Sequence, residues 1–264
     1  MSLNFCTLTS GSSGNSVFIG TEYTKLLIDA GLSGKRIIEG LSFLDIPGNK
    51  IDALFVTHEH IDHTKGVGIL SRKFDIPIYA TPGTWEAMEG QIGKIAPKNR
   101  QYIYPEERCI INDICINPFA IPHDASEPVG YNIEAENHKI TIATDLGHIT
   151  KTIKESIFDS EILLLEANHD EQMVKNSSYP YELQERILGK QGHLSNKTAG
   201  NLLCDVISEK LSYVFLGHLS EENNSPNLAY KTVKNILQKE KIQVGKQLQL
   251  EVAPRNKNSS VITL

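Results

Sequence analysis

A chain of 264 residues with 22% charged and 40% hydrophobic side chains is long enough for one large domain or two small ones and shows no compositional mark of disorder. Its formal net charge of -6 excludes a surface that is basic throughout, although bound cations and local Lys or Arg clusters are not visible in the sum. No apolar run approaches the roughly 18 residues of a membrane span. The opening residues lack the basic and apolar stretches of a signal peptide. Four scattered cysteines, Cys6, Cys109, Cys115 and Cys204, form no Cys-x-x-Cys, which fits a reduced, cytoplasmic protein.

The first third reads as strands at residues 4–9, 16–19 and 25–29, short apolar-rich runs separated by Ser/Gly turns. Apolar residues at helical spacing (Ile37, Ile38, Leu41, Leu44) predict a helix over 34–44, ending before Pro47. An apolar run at 51–56 predicts a strand, followed by a helix from 62 toward 74, a strand at 76–80 and a helix at 84–91. The middle reads as β at 109–120, 129–134 and 139–144, with Asn137-His138 as the hairpin turn between the last two. A βα series follows: strand 162–165, helices at 180–188 and 195–210, strand 213–216, helix 227–239 and a last strand at 247–252. Two roughly similar halves, each mixing strands with outer helices, predict an α/β fold: a single domain, 1–264, of four layers around two central sheets.

The densest chemistry lies at Thr57-His58-Glu59-His60-Ile61-Asp62-His63, where the apolar run stops. In extended chain, residues i and i+2 face one side, so His58 and His60 point together at the strand end. Asp62 and His63 follow on the turn into a helix and can face back across the same cavity. A lone histidine is usually a surface loop residue; three imidazoles and a carboxylate within six residues predict a metal site. Such ligands suit Zn, Mn or Fe and leave room for a water.

Later strands end in the same manner. His123 follows one, Asp145 the next, and His218 the strand at 213–216. Each alone is a weak signal. Together with the first cluster they supply the ligands of a two-metal centre, with Asp145 able to bridge both ions. Two metals about 3.5–4 Å apart can generate a hydroxide and clamp a phosphoryl or acyl group.

In order and spacing, His58-x-His60-x-Asp62-His63, His123, Asp145 and His218 resemble the successive metal motifs of the metallo-β-lactamase superfamily, over nearly the whole chain. The resemblance implies an αββα sandwich with the site at the edge between the sheets. It implies that His58, His60 and His123 hold a first metal, that Asp62, His63 and His218 hold a second, and that Asp145 bridges them. Asp62 counts among the catalytic residues as well. The intact Asp62-His63 pair favours the two-metal hydrolase branch.

Glu166-Ala167 and Gly192-His193-Leu194-Ser195 resemble a paired motif of tRNase Z and related phosphodiesterases. That implies His193 as a general acid assisting the leaving oxygen and Glu166 as the carboxylate that orients it. The residues that follow, Asn168-His169-Asp170, depart from the motif. His169 stands equally as a partner behind the site, a substrate contact or a loop residue. His138 and His148 read as structural or solvent-exposed.

The loop Thr9-Ser10-Gly11-Ser12-Ser13-Gly14-Asn15-Ser16 combines hydroxyls with permissive glycine backbone that can approach an anion closely. Alone it reads as a hairpin turn. Together with Glu166-Ala167-Asn168-His169-Asp170, the Gly-His-Leu-Ser stretches at 192–195 and 217–220 and the total length, it is similar to the signature of the YycJ/WalJ (VicX) group of bacterial metallo-hydrolases. That resemblance implies a cytoplasmic exonuclease acting on DNA from the five-prime end, linked to mismatch repair and encoded near cell-wall-regulating two-component systems. The reaction implied is attack on a phosphodiester by a metal-bound hydroxide, with DNA the substrate more than RNA and no membrane partner. Ser12, Asn196 and Lys197 are candidate phosphate contacts. Two other classes stay open: another hydrolase of the superfamily (lactonase, thiolesterase or cyclic-phosphate diesterase), which would not need Glu166 and His193, and a regulatory metal protein without turnover.

Overall fold

The computed structural model describes residues 2–264. In chain order its elements are β1 (Asn4–Thr9), β2 (Ser16–Gly20), β3 (Lys25–Ile28), α1 (Gly34–Ser42), β4 (Ala53–Phe55), α2 (Ile61–Thr64), α3 (Val67–Phe74), β5 (Ile78–Ala80), α4 (Pro82–Ile92), β6 (Arg100–Tyr102), β7 (Cys109–Ile111), β8 (Ile114–Ala120) and β9 (Val129–Ala135). Then follow β10 (His138–Ala143), α5 (Lys151–Ile157), β11 (Ile162–Glu166), α6 (Glu171–Lys175), α7 (Tyr181–Leu188), α8 (Asn196–Val206), β12 (Tyr213–Gly217), α9 (Pro226–Lys239), β13 (Gln249–Val252) and β14 (Ile262–Thr263). Among the described residues the strands form two mixed sheets of seven, flanked by helices, in keeping with the α/β class expected. Contacts divide the chain into two compact units: residues up to Pro118 with Ala125–His138 and Pro254–Leu264, and Phe119–Asp124 with Lys139–Ala253.

In the first unit one sheet runs β14-β1-β2-β3-β4-β5-β6. It is antiparallel from β14 to β3 and parallel from β3 to β6. Every residue of β2 and β4 is buried, which explains sequence that is apolar rather than alternating. Leu27, Leu41, Leu54, Val67 and Trp85 belong to one buried cluster joining this sheet to α1, α3 and α4. Each leucine removed from water in this way contributes roughly 2 kcal/mol. Helix α4 starts where the Thr81 hydroxyl accepts the Thr84 N–H, with Pro82 in the first position.

In the second unit β10, β11, β12 and β13 are parallel neighbours. β11 (ILLLE) is buried throughout. Leu163 and Leu165 join Leu203, Leu216 and Val233 in a second buried cluster. Gly200 lets α8 approach α9 closely, because a Cβ there would lie 2.7 Å from Ile236 Cδ1. Ala143 stands opposite Leu165, and Glu166 opposite Gly217. The carboxyl ends of β10, β11 and β12 therefore reach one edge, and Asp145, Glu166 and His218 arrive there together, the usual place for chemistry in such sheets.

Several expected elements change. The helix over 62–74 is two, α2 and α3, because Gly66 turns its N–H to the Ala30 carbonyl at 2.7 Å. A Cβ on Gly66 would lie 2.5 Å from the Leu32 carbonyl oxygen. The β run 109–120 is a tight hairpin, β7 and β8, with Ile111 opposite Ile114 and Asn112 in left-handed backbone (φ 49°). The second hairpin turn falls on Glu136-Asn137, one residue earlier than expected. The helix expected over 195–210 stops at Val206, since Ile207 is extended. β6, α5, α6 and β14 are additional short elements. No helix among the described residues is long and apolar enough to cross a membrane.

Candidate metal centre

In the first unit β3 and β4 run parallel, with Ile28 opposite Phe55, so Asp29 and Thr57 leave the sheet side by side. Asp29 adopts left-handed backbone (φ 61°), which Asp tolerates better than most residues. Its Oδ1 accepts the Thr57 N–H at 2.8 Å, and its Oδ2 accepts the Thr57 hydroxyl at 2.9 Å and His63 Nδ1 at 2.7 Å. The Thr57 hydroxyl in turn meets His58 Nδ1 at 3.0 Å. Both imidazoles thus have Nδ1 engaged and present Nε2. The His58 ring lies 4.6 Å from that of His60 and 4.2 Å from that of His63. Asp62 Oδ2 is 3.5 Å from His63 Nε2. The Asn15 amide completes the group, 3.2 Å from His63 Nε2 and 3.5 Å from Asp62 Oδ2.

In the second unit Glu166 is the organiser. It is fully buried. Its Oε1 meets His193 Nδ1 at 2.8 Å and His218 Nδ1 at 3.1 Å, while its Oε2 accepts the N–H groups of Leu146 and Leu194, both at 2.9 Å. Burial would push this carboxyl up, but His193 and His218 hold it well below the usual carboxylate range. Asp145 Oδ1 lies 3.4 Å from His218 Nε2, 3.7 Å from His123 Nε2 and 3.7 Å from His193 Nδ1. His123 Nδ1 donates to the Gly192 carbonyl at 3.2 Å. Donor atoms of Asp145, Glu166, His193 and His218 all fall within 4.8 Å of one another. Asp145 (φ 60°) and His218 (φ 54°) share the left-handed backbone of Asp29. Each such residue costs of order 1 kcal/mol.

This donor chemistry fits divalent metal. A metal takes the neutral imidazole, and second-shell acceptors that hold one ring nitrogen aim the other. His58, His63, His123 and His218 all have Nδ1 so held. Burial lowers the pKa of His123, against the pull of Asp145, which keeps a would-be ligand neutral. His193 behaves oppositely. Burial disfavours its charge, but the Glu166 carboxylate outweighs that and raises it above its ordinary value. Its side chain keeps 21% exposure, so the imidazole looks out from the edge of the group.

The family model described as beta-lactamase superfamily domain matches residues 24–215. The chain belongs to the beta-lactamase superfamily. Among curated relatives, the exodeoxyribonuclease YycJ of Bacillus anthracis is 38% identical over 251 residues, 95% of each chain. The exodeoxyribonuclease WalJ of Streptococcus pneumoniae is 37% identical over 240 residues, 90% of this chain and 89% of that one. Among solved structures, the metallo-beta-lactamase fold protein YhfI of Bacillus subtilis superposes with a TM-score of 0.75 at 15% identity, covering both chains fully. Human tRNase Z, short form, gives 0.65 at 17% identity over 97% of this chain and 98% of that one. At such identities the likeness is one of fold.

For this beta-lactamase superfamily member the structure adds residues that pattern reading missed. Asp29, Thr57, Asn15 and Asn168 hold the imidazoles; the Asn168 amide donates to the His218 carbonyl at 2.9 Å. Asp29 had a signal, an acid closing the apolar run 25–29, the same mark that singled out Asp145. The remaining sequence-expected positions divide. Ser12 is exposed and bonded to Arg255 at 3.4 Å. Lys197 is exposed in the first turn of α8. Asn196 is buried in a reciprocal amide pair with Asn224, at 3.0 and 2.9 Å. His169 is buried, its Nδ1 has no hydrogen-bond partner among the described residues, and burial lowers its pKa to about 4.

Proposed function

We propose that this chain is a metal-dependent exodeoxyribonuclease. His58, His60 and His123 would hold one divalent cation, Asp62, His63 and His218 a second, and Asp145 would serve both. The cations, Zn, Mn or Fe, would activate water and neutralise charge on the phosphodiester. Reading the substrate as DNA draws on the printed names of YycJ and WalJ, exodeoxyribonucleases that match nearly the full length; attack from the five-prime end, the cytoplasm and the setting of repair are what the motif resemblance implies.

The observation that carries the phosphodiester reading is the Glu166–His193 pair at 2.8 Å. With Nδ1 bonded to Glu166, His193 presents Nε2 outward, and its raised pKa keeps a proton available for the departing oxygen. Glu166 cannot turn away, because the Leu146 and Leu194 amides fix its other oxygen. The charge that raises the His193 pKa is thus itself held in place. Thioester hydrolysis expels a thiolate, a better leaving group than the alkoxide of a nucleic-acid strand, and needs no such acid.

Five-prime- and three-prime-labelled DNA and RNA, single- and double-stranded, should be incubated with Mn- and Zn-loaded protein. Release of nucleotides from the five-prime end of DNA is expected. No cleavage of any substrate under either metal, or turnover of a lactone with bis(p-nitrophenyl) phosphate untouched, sinks the reading.

A further inference from the structure

The loop joining β1 to β2 ends on Asn15, whose amide reaches Asp62 and His63. The same amide bonds both backbone groups of Gly11. On Gly11 (φ +157°) lies a cation: a Cβ there would stand 2.9 Å from Arg255 Cζ, so the guanidinium occupies the room a side chain would take. Arg255 Nη1 donates to Ser13 Oγ at 3.1 Å and Ser12 Oγ at 3.4 Å, and the Arg255 carbonyl accepts the Thr9 hydroxyl at 2.7 Å. Contacts therefore lead without a gap from the guanidinium through Gly11 and Asn15 to His63.

The same contacts lead away from the metal donors into a groove. A Cβ on Gly14 would lie 2.4 Å from Leu32 Cδ2. Leu32 and the segment after Arg255 line a groove of about 470 Å³ with Phe43, Arg36 and Lys257. Phe43 is 85% exposed. Glu39, also on the lining, lies 3.8 Å from Arg36 Nε. In a chain of net charge -6, a guanidinium cradle followed by an open aromatic with cations beside it is a local feature. It has the two elements a single nucleic-acid strand requires, paired phosphate and a stacking platform.

We propose that this lane seats the substrate strand. Arg255, with Ser12 and Ser13, takes a phosphate of single-stranded DNA next to the metal donors of its unit, and Phe43 stacks a base farther along. The inference rests on the nuclease reading above.

Binding of a fluorescent, cleavage-resistant phosphorothioate oligothymidylate to the metal-loaded full chain, followed by anisotropy over a salt series, tests it. Arg255→Gln should weaken binding about tenfold and lower the slope of log K against log salt by about 0.7, the loss of one phosphate contact. Arg255→Lys should restore the slope. Phe43→Ala should weaken binding about tenfold with the slope kept, since stacking releases no counterions. Lys239→Gln, at an exposed position of α9, is the charge-matched control and should change neither. Oligonucleotides with a five-prime phosphate or hydroxyl separate the sources: a penalty confined to the phosphorylated strand marks a terminal phosphate, an equal penalty an internal one. A wild-type slope in Arg255→Gln, or wild-type affinity in Phe43→Ala, overturns the lane. Should wild type cleave unmodified DNA while either variant behaves so, only the lane falls; should wild type cleave nothing, the nuclease reading falls first.

Discussion

Glu166 acts on two histidines at once, and its two oxygens do different jobs. One faces His193 and His218; the other is tied to backbone amides. Replacing His193 with Ala should lower kcat by about 10²- to 10⁴-fold, the usual worth of a general acid, with metal content by atomic absorption unchanged. Glu166→Gln removes the charge that raises the His193 pKa. The proton then leaves His193 at lower pH, so the alkaline limb of the kcat profile should move toward acid. An unmoved limb would mean that Glu166 only braces the chain. Asp29 is the counterpart in the other unit. Asp29→Ala frees His63 Nδ1 and Thr57, and metal affinity by chelator competition should drop about 10- to 100-fold, as for other second-shell losses.

At the scale of elements, the site depends on backbone approach as much as on ligands. Gly31 packs so tightly on the turn that carries Asp62 that a Cβ would fall 1.6 Å from the Asp62 carbonyl oxygen. Gly31→Ala must shift α2, and a loss of at least about 2 kcal/mol in urea unfolding is expected. Thr81→Ala removes the cap of α4 and the hydroxyl's bond to the Glu127 carbonyl at 2.9 Å, with no backbone displaced, and should cost about 1–2 kcal/mol, with the m-value unchanged. The contrast explains which elements were legible beforehand. Long runs with a clear period, such as 227–239 and 162–165, announce themselves in sequence. Short pieces do not: α5 buries only Ile153 and Ile157, and β14 is two residues paired to β1. The break between α2 and α3 was invisible because its cause, the Gly66 contact with Ala30 and Leu32, is distant in sequence.

For the whole molecule, buried histidines make stability depend on acid. His169 has a folded pKa of about 4 against an unfolded value near 6.5. Its contribution is complete above about pH 6.5 and is lost as the pH falls toward 4, because the unfolded chain takes up the proton first. In metal-free protein this amounts to up to about 3 kcal/mol. His169→Asn should flatten that limb of a urea-midpoint series, and a curve as steep as wild type would exclude His169 as its source. Metal works in the same direction: excess ion at about 100 times its Kd adds about 2.7 kcal/mol, so a chelator should lower Tm in calorimetry.

Sequence alone determined the α/β class, the places where strands stop and the kinds of ligand waiting there, because these depend on local periodicity and side-chain chemistry. It could mark His58, Asp145 or His218 one at a time, each at the end of an apolar run. Which nitrogen each imidazole presents was decided only by tertiary structure. That choice rests on Asp29, Thr57, Glu166 and the Gly192 carbonyl, partners brought near by parallel strand register and left-handed turns. Hydrogen bonds between residues far apart along the chain have no period to read.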